Sequence, residues 1–399
     1  MGRAFAKGAR AQRLIPRGSR VTVGVSGGAG SAALLYLLRS TRPRRGERAD
    51  DPAGGPCARQ LAAVHVCEED AWSSVGEAMD AASWAALRSA VARGCGAESE
   101  SPLLPCPLHV VPLAWALESV PPPLVPAWGE GAGIGVVDEV PSAPPAARAR
   151  LVALLVAAPD AQAREDMVRH LRRSLLLRAS LSLNAPRLAL GCTQTRLAAR
   201  ALAEAACGRL PGASADSQWF DARFPCVIVL RPLREVGLSE AAFFCRLTRL
   251  PVAADATELS WLGAPGVTLG DSPQARGSLS RAVDGFLAGL TEGGRGHTGP
   301  AGAPGSTAGG GPGAASAAAG LLARLAAWPF NDPRSGGGGG AVTPAQGRLY
   351  AAEGGGGWTL CATCRAPSDP HDLAGTAWCS LCRVVGIDAG FGALQKSEK

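Results

Sequence analysis

The stretch Val21–Ser31, VTVGVSGGAGS, constrains this chain more than any other. Val21, Val23 and Val25 form a short alternating apolar run, Ser26-Gly27-Gly28 breaks it, and Ala32, Leu34, Leu35, Leu37 and Leu38 follow at helical spacing. The pattern predicts a strand, a glycine turn and a helix. Two readings of the turn stand side by side. It is either a glycine turn for close helix–strand packing or a phosphate cradle. In a cradle, backbone N–H groups and the positive end of the helix face an anion. The second reading makes Ser26, Gly27, Gly28 and Ser31 candidate nucleotide contacts, with the two serines adding hydroxyl donors.

Further β-rich runs repeat the opening pattern. Strands are expected at 61–66, 108–111, 187–190 and 227–230, and helices at 31–40, 77–93, 163–182, 196–207 and 239–250. Alternating β and α elements predict an α/β fold with a mostly parallel sheet covered by helices. Ligands in such sheets sit at the carboxyl ends of the strands, where the Ser26-Gly27-Gly28 turn lies. The clearest helix, 163–182, carries Met167, Leu171 and Leu175 on one face and Arg164, Arg169, Arg172 and Arg173 on others, which reads as a solvated face on a core helix. Residues 1–290 are assigned to this α/β domain. A Pro- and Ala-rich insertion is expected over about 117–160, with Pro121–Pro145 as a loop. Residues 291–357 are nearly all Gly, Ala, Pro and Ser and read as a disordered linker. Within it, Ala318–Phe330 has the composition of a brief helix.

The strongest spacing signal follows that linker, in residues 358–399. Cys361-Ala-Thr-Cys364 and Cys379-Ser-Leu-Cys382 are two CxxC pairs. Their separation suits a four-thiolate zinc-ribbon-like module, closed and therefore structural. An iron–sulfur cluster or a redox dithiol are the alternatives, and His371 between the pairs reads as a bystander. The other cysteines form no CxxC and read as small buried hydrophobes; Cys192, close to Arg196, is the one with an activating neighbour.

The chain carries 40 basic against 33 acidic residues, a net charge of +7 that is compatible with a nucleic-acid partner without requiring one. The bases are almost all arginine, which a GC-rich genome explains as well as phosphate recognition does. No run of 18 or more apolar residues appears, so no membrane span is expected. Residues 1–18 lack the apolar core of a secretory signal, although they are Arg-rich and acid-poor like a transit peptide. Twelve cysteines without a signal suggest a reducing compartment. Two strand-end segments carry arginines where anions are met. Leu188–Arg200, LALGCTQTRLAAR, starts a helix with Arg196 and Arg200 one turn apart. Val227–Glu235, VIVLRPLRE, delivers Arg231 at the end of a buried strand that Pro232 stops. Arg196, Arg200 and Arg231 are thus candidate RNA or anion contacts, with surface salt bridging as the alternative for the first two.

Taken in order, these segments resemble a known family. The turn is similar to the PP-loop of ATP pyrophosphatases, SGGxDS, with Gly30 at the acidic position. The strings RLIPRGSRVTVGVSGGAGSAALL, DMVRHLRRSLLLRASLSLNAPRLALGCTQTRLAARALAEAACGRL and VIVLRPLREVGLSEAAFFCRLTRLPV resemble the cytoplasmic tRNA 2-thiolation protein 2 family, as do the paired CxxC motifs. The resemblance implies a PP-loop (adenine nucleotide alpha hydrolase-like) sheet and a cytoplasmic role in 2-thiolation of the wobble uridine of lysine, glutamine and glutamate tRNAs. It implies a catalytic paralogue, tRNA 2-thiolation protein 1, as partner, with sulfur delivered by the thiocarboxylate of a ubiquitin-related modifier. Active relatives typically carry GHNxDD where this chain has Gly191-Cys192-Thr193-Gln194-Thr195-Arg196. With Gly30, that makes two acidic positions lost, and the expected role is a non-catalytic or weakly catalytic subunit. An autonomous ATP-dependent thiotransferase and a zinc-ribbon scaffold with a relic sheet are the alternatives. Many family members carry another CxxC…CxxC module ahead of the glycine turn; residues 1–20 hold none.

Overall fold

The computed structural model describes chiefly residues 14–41, 58–73, 81–96, 105–118, 142–207 and 216–253, with a strand pair near residue 360 and a few isolated positions. The elements run β1 (Ser19–Gly24), α1 (Ala29–Ser40), β2 (Ala58–Cys67), α2 (Glu69–Ser73), α3 (Ala81–Gly94), β3 (Leu108–Pro112), a 3-10 helix (Leu113–Leu117), α4 (Pro145–Ala157), α5 (Ala161–Ser182), β4 (Arg187–Leu190), α6 (Gln194–Ala206), β5 (Phe220–Asp221), β6 (Ile228–Leu230) and α7 (Leu238–Leu247). The sheet order is β3-β2-β1-β4-β6-β5. All neighbours are parallel except the short β5, which pairs antiparallel with β6. Strand order therefore reverses between β1 and β4. With right-handed crossovers, that reversal sends helices to both faces and opens a crevice at the carboxyl ends of β1 and β4.

The expected α/β fold with a mostly parallel sheet is what forms. Within the described residues each expected strand and helix is present with ends shifted by a few residues, while the brief helix expected at Ala318–Phe330 lies outside them. The central strands are apolar on both faces, as a sheet covered twice requires: Val21, Val23, Ala63, Val64, Leu108, Leu188 and Ala189 are at most 3% exposed. α5 packs against β1, β2 and β4, and α1 against β1, β2 and α7. Asp160 caps α5, its carboxylate accepting the Ala163 N–H at 2.6 Å. Asn184, at φ 50°, closes the other end, where Ala185 N–H reaches Ser180 O at 2.9 Å.

Part of the expected insertion over 117–160 is helical. Pro145–Ala157 is a helix with Pro at its first turn, and Ala147, Leu151 and Leu155 on it are fully buried. α4 packs on the 3-10 helix and on α2, closing the core beyond β3. Residues 125–141 of the expected loop lie outside the described residues, as do the linker at 291–357 and Cys361, Cys364, Cys379 and Cys382. Near those cysteines, Thr359–Leu360 and Pro367–Ser368 pair antiparallel, so the first CxxC pair falls in the connection between them.

Leu151→Ala should cost about 3 kcal/mol of stability, as expected for emptying a core position. Urea unfolding of the full chain measures it. A loss below about 0.5 kcal/mol, typical of surface sites, would mean that α4 does not belong to the core.

Candidate functional site

The reversal point is built from two loops, the SGG turn after β1 and Gly191–Thr193 after β4. In the first, Gly27 takes φ +82°, a conformation that favours glycine. Ser31, 5% exposed, braces the turn: its hydroxyl donates to Gly28 O at 2.9 Å and accepts the Ser26 N–H at 3.3 Å. Ser26 is exposed, and its Oγ lies 3.3 Å from Ser31 Oγ. α1 begins after Gly28 with no side-chain cap and no acidic residue in its first turn. Its first N–H groups therefore lack intrahelical partners and carry the positive end of the helix dipole. The structure thus brings Ser26, Gly27, Gly28 and Ser31 together at a helix start, the geometry that an anion cradle requires. Around the turn, Ala253 N–H donates to Gly27 O at 3.2 Å and the buried Cys245 thiol to Ala29 O at 3.3 Å.

Gly30 is the acidic position of the PP-loop pattern, and its surroundings explain the glycine. A Cβ on Gly30 would collide with Gly191 O and lie 3.3 Å from the Thr193 methyl. Reciprocally, a Cβ on Gly191 would lie 2.5 Å from Ser31 N and 2.6 Å from Gly30 C. Backbone touches backbone here, so the corner is filled and no side chain fits at either position. α6 likewise starts with no acidic residue in its first turn. Thr193, its N-cap residue, is fully buried and makes no cap hydrogen bond. Together the crevice presents two helix N-termini and no first-turn carboxylate.

Beside it, His65 on β2 is buried, and its Nδ1 is 2.8 Å from Val25 O. Burial pushes its pKa below the usual histidine value, outweighing the backbone hydrogen bond and Glu68. Glu68 accepts from the indole of Trp72 at 3.1 Å and from Arg172, Nη2 at 2.9 Å.

Of the three arginines singled out by the sequence, Arg200 and Arg231 meet at one carboxylate, Asp216, while Arg196 lies a turn earlier on α6. Arg231 is 2% exposed. Its guanidinium donates to Gln218 O at 3.3 Å and lies 3.7 Å from both Asp216 and Asp221. The anions it meets here are carboxylates of its own chain. Arg200 bridges to Asp216 at 3.1 Å. Arg173 and Arg223 reach the same carboxylate at 2.5 Å. Arg223 also holds Asp221 at 2.6 Å. Burial alone would raise the Asp216 pKa, but Arg173, Arg200, Arg223 and Arg231 outweigh it and hold the carboxyl well below its usual range. Arg196 stays half-buried on the first turn of α6. The expected solvated face of α5 is also paired: Arg169 bridges to Asp166 and Glu204, and Arg172 to Glu68.

Sequence pattern alone does not single out Asp216 and Asp221. A clue lay in the acid–base alternation of Asp216–Arg223, DSQWFDAR, just before a buried strand. Burial raises the thiols of Cys67 and Cys245 to about 11 and that of Cys95 further, which suits inert core residues. Cys192 is half-buried. Among the described residues no group of three or more His, Cys, Asp or Glu is arranged to hold a metal ion, and no helix is long and apolar enough to cross a membrane.

No protein-family profile matches the chain. Over 104 residues, 26% of this chain and 22% of the relative, it is 38% identical to Cytoplasmic tRNA 2-thiolation protein 2 of Arabidopsis thaliana. Over 89 residues, 22% of this chain and 18% of the relative, it is 29% identical to the protein of that name from Danio rerio. The matches thus span about a fifth of the length of these curated relatives. A solved structure, the U34-tRNA thiolase NcsA from Methanococcus maripaludis with its 4Fe-4S cluster, aligns over 82% of this chain and 78% of that one, at 14% identity and a TM-score of 0.46.

Gly30→Asp should destabilise the fold by about 1–3 kcal/mol, the usual cost of overpacking. It should also leave the response to an ATP analogue with magnesium unimproved. Thermal unfolding and calorimetric titration of the same variant test both. A stable variant that gains nucleotide binding would show that the corner was open.

Proposed function

We propose that the chain is a non-catalytic or weakly catalytic subunit in 2-thiolation of the wobble uridine of cytosolic lysine, glutamine and glutamate tRNAs. In this reading it works in the cytoplasm beside the catalytic paralogue, tRNA 2-thiolation protein 1. The paralogue takes sulfur from the thiocarboxylate of a ubiquitin-related modifier. The observation that carries the reading is the pairing of a retained anion cradle with a corner filled by the Gly30–Gly191 backbone contact. A cradle without carboxylates has nothing to hold the metal that accompanies ATP phosphates. Its remaining use is anion binding, to a phosphate of nucleotide or of RNA. The likeness to two relatives that both bear a tRNA 2-thiolation name supports the same assignment.

Zinc at Cys361, Cys364, Cys379 and Cys382 belongs to the proposal. The antiparallel pairing of Thr359–Leu360 with Pro367–Ser368 suits a CxxC knuckle between two short strands. Four thiolates would close the tetrahedron, leaving a structural ion. Metal analysis of the purified chain should find zinc, and Cys361→Ser with Cys379→Ser should release it. Iron in its place would redirect the assignment to a cluster.

Reconstitution tests the whole reading. The chain should co-purify with the paralogue, and thiolation of a tRNA transcript should need both. Full thiolation by the paralogue alone would overturn the subunit role. Robust conversion of ATP to AMP by this chain alone with uridine-containing tRNA would instead favour an autonomous thiotransferase. Partner binding that survives loss of the sheet domain but not of Cys361 would favour a scaffold.

A further inference from the structure

The carboxyl end of β6 carries a basic group that the internal ion-pair network leaves unused. Arg173, Arg200, Arg223 and Arg231 all converge on Asp216. Arg234, on the same turn as Arg231, makes no ion pair and no side-chain hydrogen bond among the described residues. Its guanidinium lies over the indole of Trp219, 5.8 Å from the ring centroid. The side chain is half-buried, and that burial lowers its pKa from the usual arginine value, against the attraction of neighbouring Glu235. An arginine remains charged under any such shift, so the group is a partly dehydrated cation with its donors uncommitted. The aromatic face holds the guanidinium in place without using any N–H.

The position is rigid and close to the crevice. Arg231 N–H donates to Trp219 O at 2.8 Å, tying the turn to the residue beneath Arg234. Arg234 N–H closes on Arg231 O at 3.2 Å and Val236 N–H on Leu233 O at 2.9 Å, while Leu233 and Val236 are buried. The far side of the turn is fastened to α6: Gln194 N–H donates to Val236 O at 2.8 Å, and Leu238 N–H to Thr195 Oγ1 at 3.2 Å. Because β1, β4 and β6 are parallel, Arg234 stands on the same edge of the sheet as the two helix N-termini.

We propose that Arg234, held over Trp219, is a phosphate-contacting residue for an RNA strand lying across the carboxyl edge of the sheet. The proposal rests on the tRNA reading above and names a contact that the sequence alone had given to Arg231. A planar guanidinium with free donors engages phosphate oxygens in bidentate fashion. Each such contact contributes to affinity and steepens its dependence on salt.

Binding of an unmodified tRNA transcript to the full chain, followed by fluorescence anisotropy across a salt series, tests it. Arg234→Gln should weaken binding about five- to tenfold at low salt and reduce the slope of log affinity against log salt by about one. Arg234→Lys, which keeps the charge but not the fork, should fall between that variant and the unsubstituted chain. Arg246→Gln, an exposed arginine on α7, is the charge-matched control and should change little. Wild-type affinity and slope in Arg234→Gln, or an equal loss in Arg246→Gln, would overturn the proposal while leaving the tRNA reading intact. Absence of salt-dependent tRNA binding by the unsubstituted chain would overturn the reading and the proposal together.

Discussion

The close approach of Gly30 to Gly191 decides how the two halves of the sheet meet. These glycines lie on the loops leaving β1 and β4, where strand order reverses and an open sheet ordinarily leaves a ligand crevice. Here main chain lies against main chain, and a methyl group on either residue would force α1 away from the β4 loop. The surrounding contacts assume that approach. Cys245 reaches Ala29 O, Ala253 N–H reaches Gly27 O, and Gln194 N–H reaches Val236 O, so α1, α6, α7 and the β6 turn are tied together at one edge. What remains at the crevice is the field of two helix starts with no first-turn acid. That field favours anions and disfavours a divalent cation. The missing carboxylate and the tight packing are therefore one structural fact, seen once in sequence and once in space.

A second constraint lies beneath the edge. Asp216 and Asp221 are buried with Arg223 and Arg231, and Arg173 and Arg200 join from α5 and α6. Taking these charges out of water is expensive, and mutual attraction repays it only when geometry and hydrogen bonds are good. Arg223 meets that condition, with Nε and Nη2 on Asp221 at 2.8 and 2.6 Å and a further bond to Asp216. Removing either aspartate would strand buried guanidinium groups, a change that typically costs about 3–5 kcal/mol. The network fastens α5 and α6 to the β5–β6 edge and fixes the register of a turn that carries one more arginine than the carboxylates absorb.

Much of this fold was legible because hydrophobic period reports secondary structure directly. The valines of β1, the run Arg187–Leu190 and the stripe Met167, Leu171, Leu175 each occupy the expected strand or helix. α4 was missed because Pro and Ala crowd its start and its apolar residues run almost without a break, so no helical spacing stands out, yet Pro145 in the first turn and Leu151 and Leu155 one turn apart are ordinary helix signals. At the site, the sequence identified Gly30 as a position without an acid but not why, since the reason is Gly191, distant in the chain. The proposal of Arg234 beside the sequence candidate Arg231 has the same origin. Both follow a buried strand, and only tertiary structure reveals that the partners of Arg231 are Asp216 and Asp221.

The arginine-rich composition takes on a different meaning in this light. A net charge of +7 suggests a basic surface, yet many arginines on the described helices are neutralised locally: Arg88 by Glu69, Arg148 by Asp70, Arg169 by Asp166 and Glu204, Arg172 by Glu68. Charge spent in this way contributes little beyond about a Debye length, some 8–10 Å at ordinary salt. At the carboxyl edge of the sheet, what is left among the described residues is the field of two uncapped helix starts, whose influence fades within a turn, and the Arg234 guanidinium, which makes no ion pair there. Those three lie on one edge of one sheet, so their attractions add at a single place. In the proposed tRNA reading, the placement of these helix dipoles and of Arg234 on one edge, more than the count of basic residues, selects where a phosphate backbone would lie.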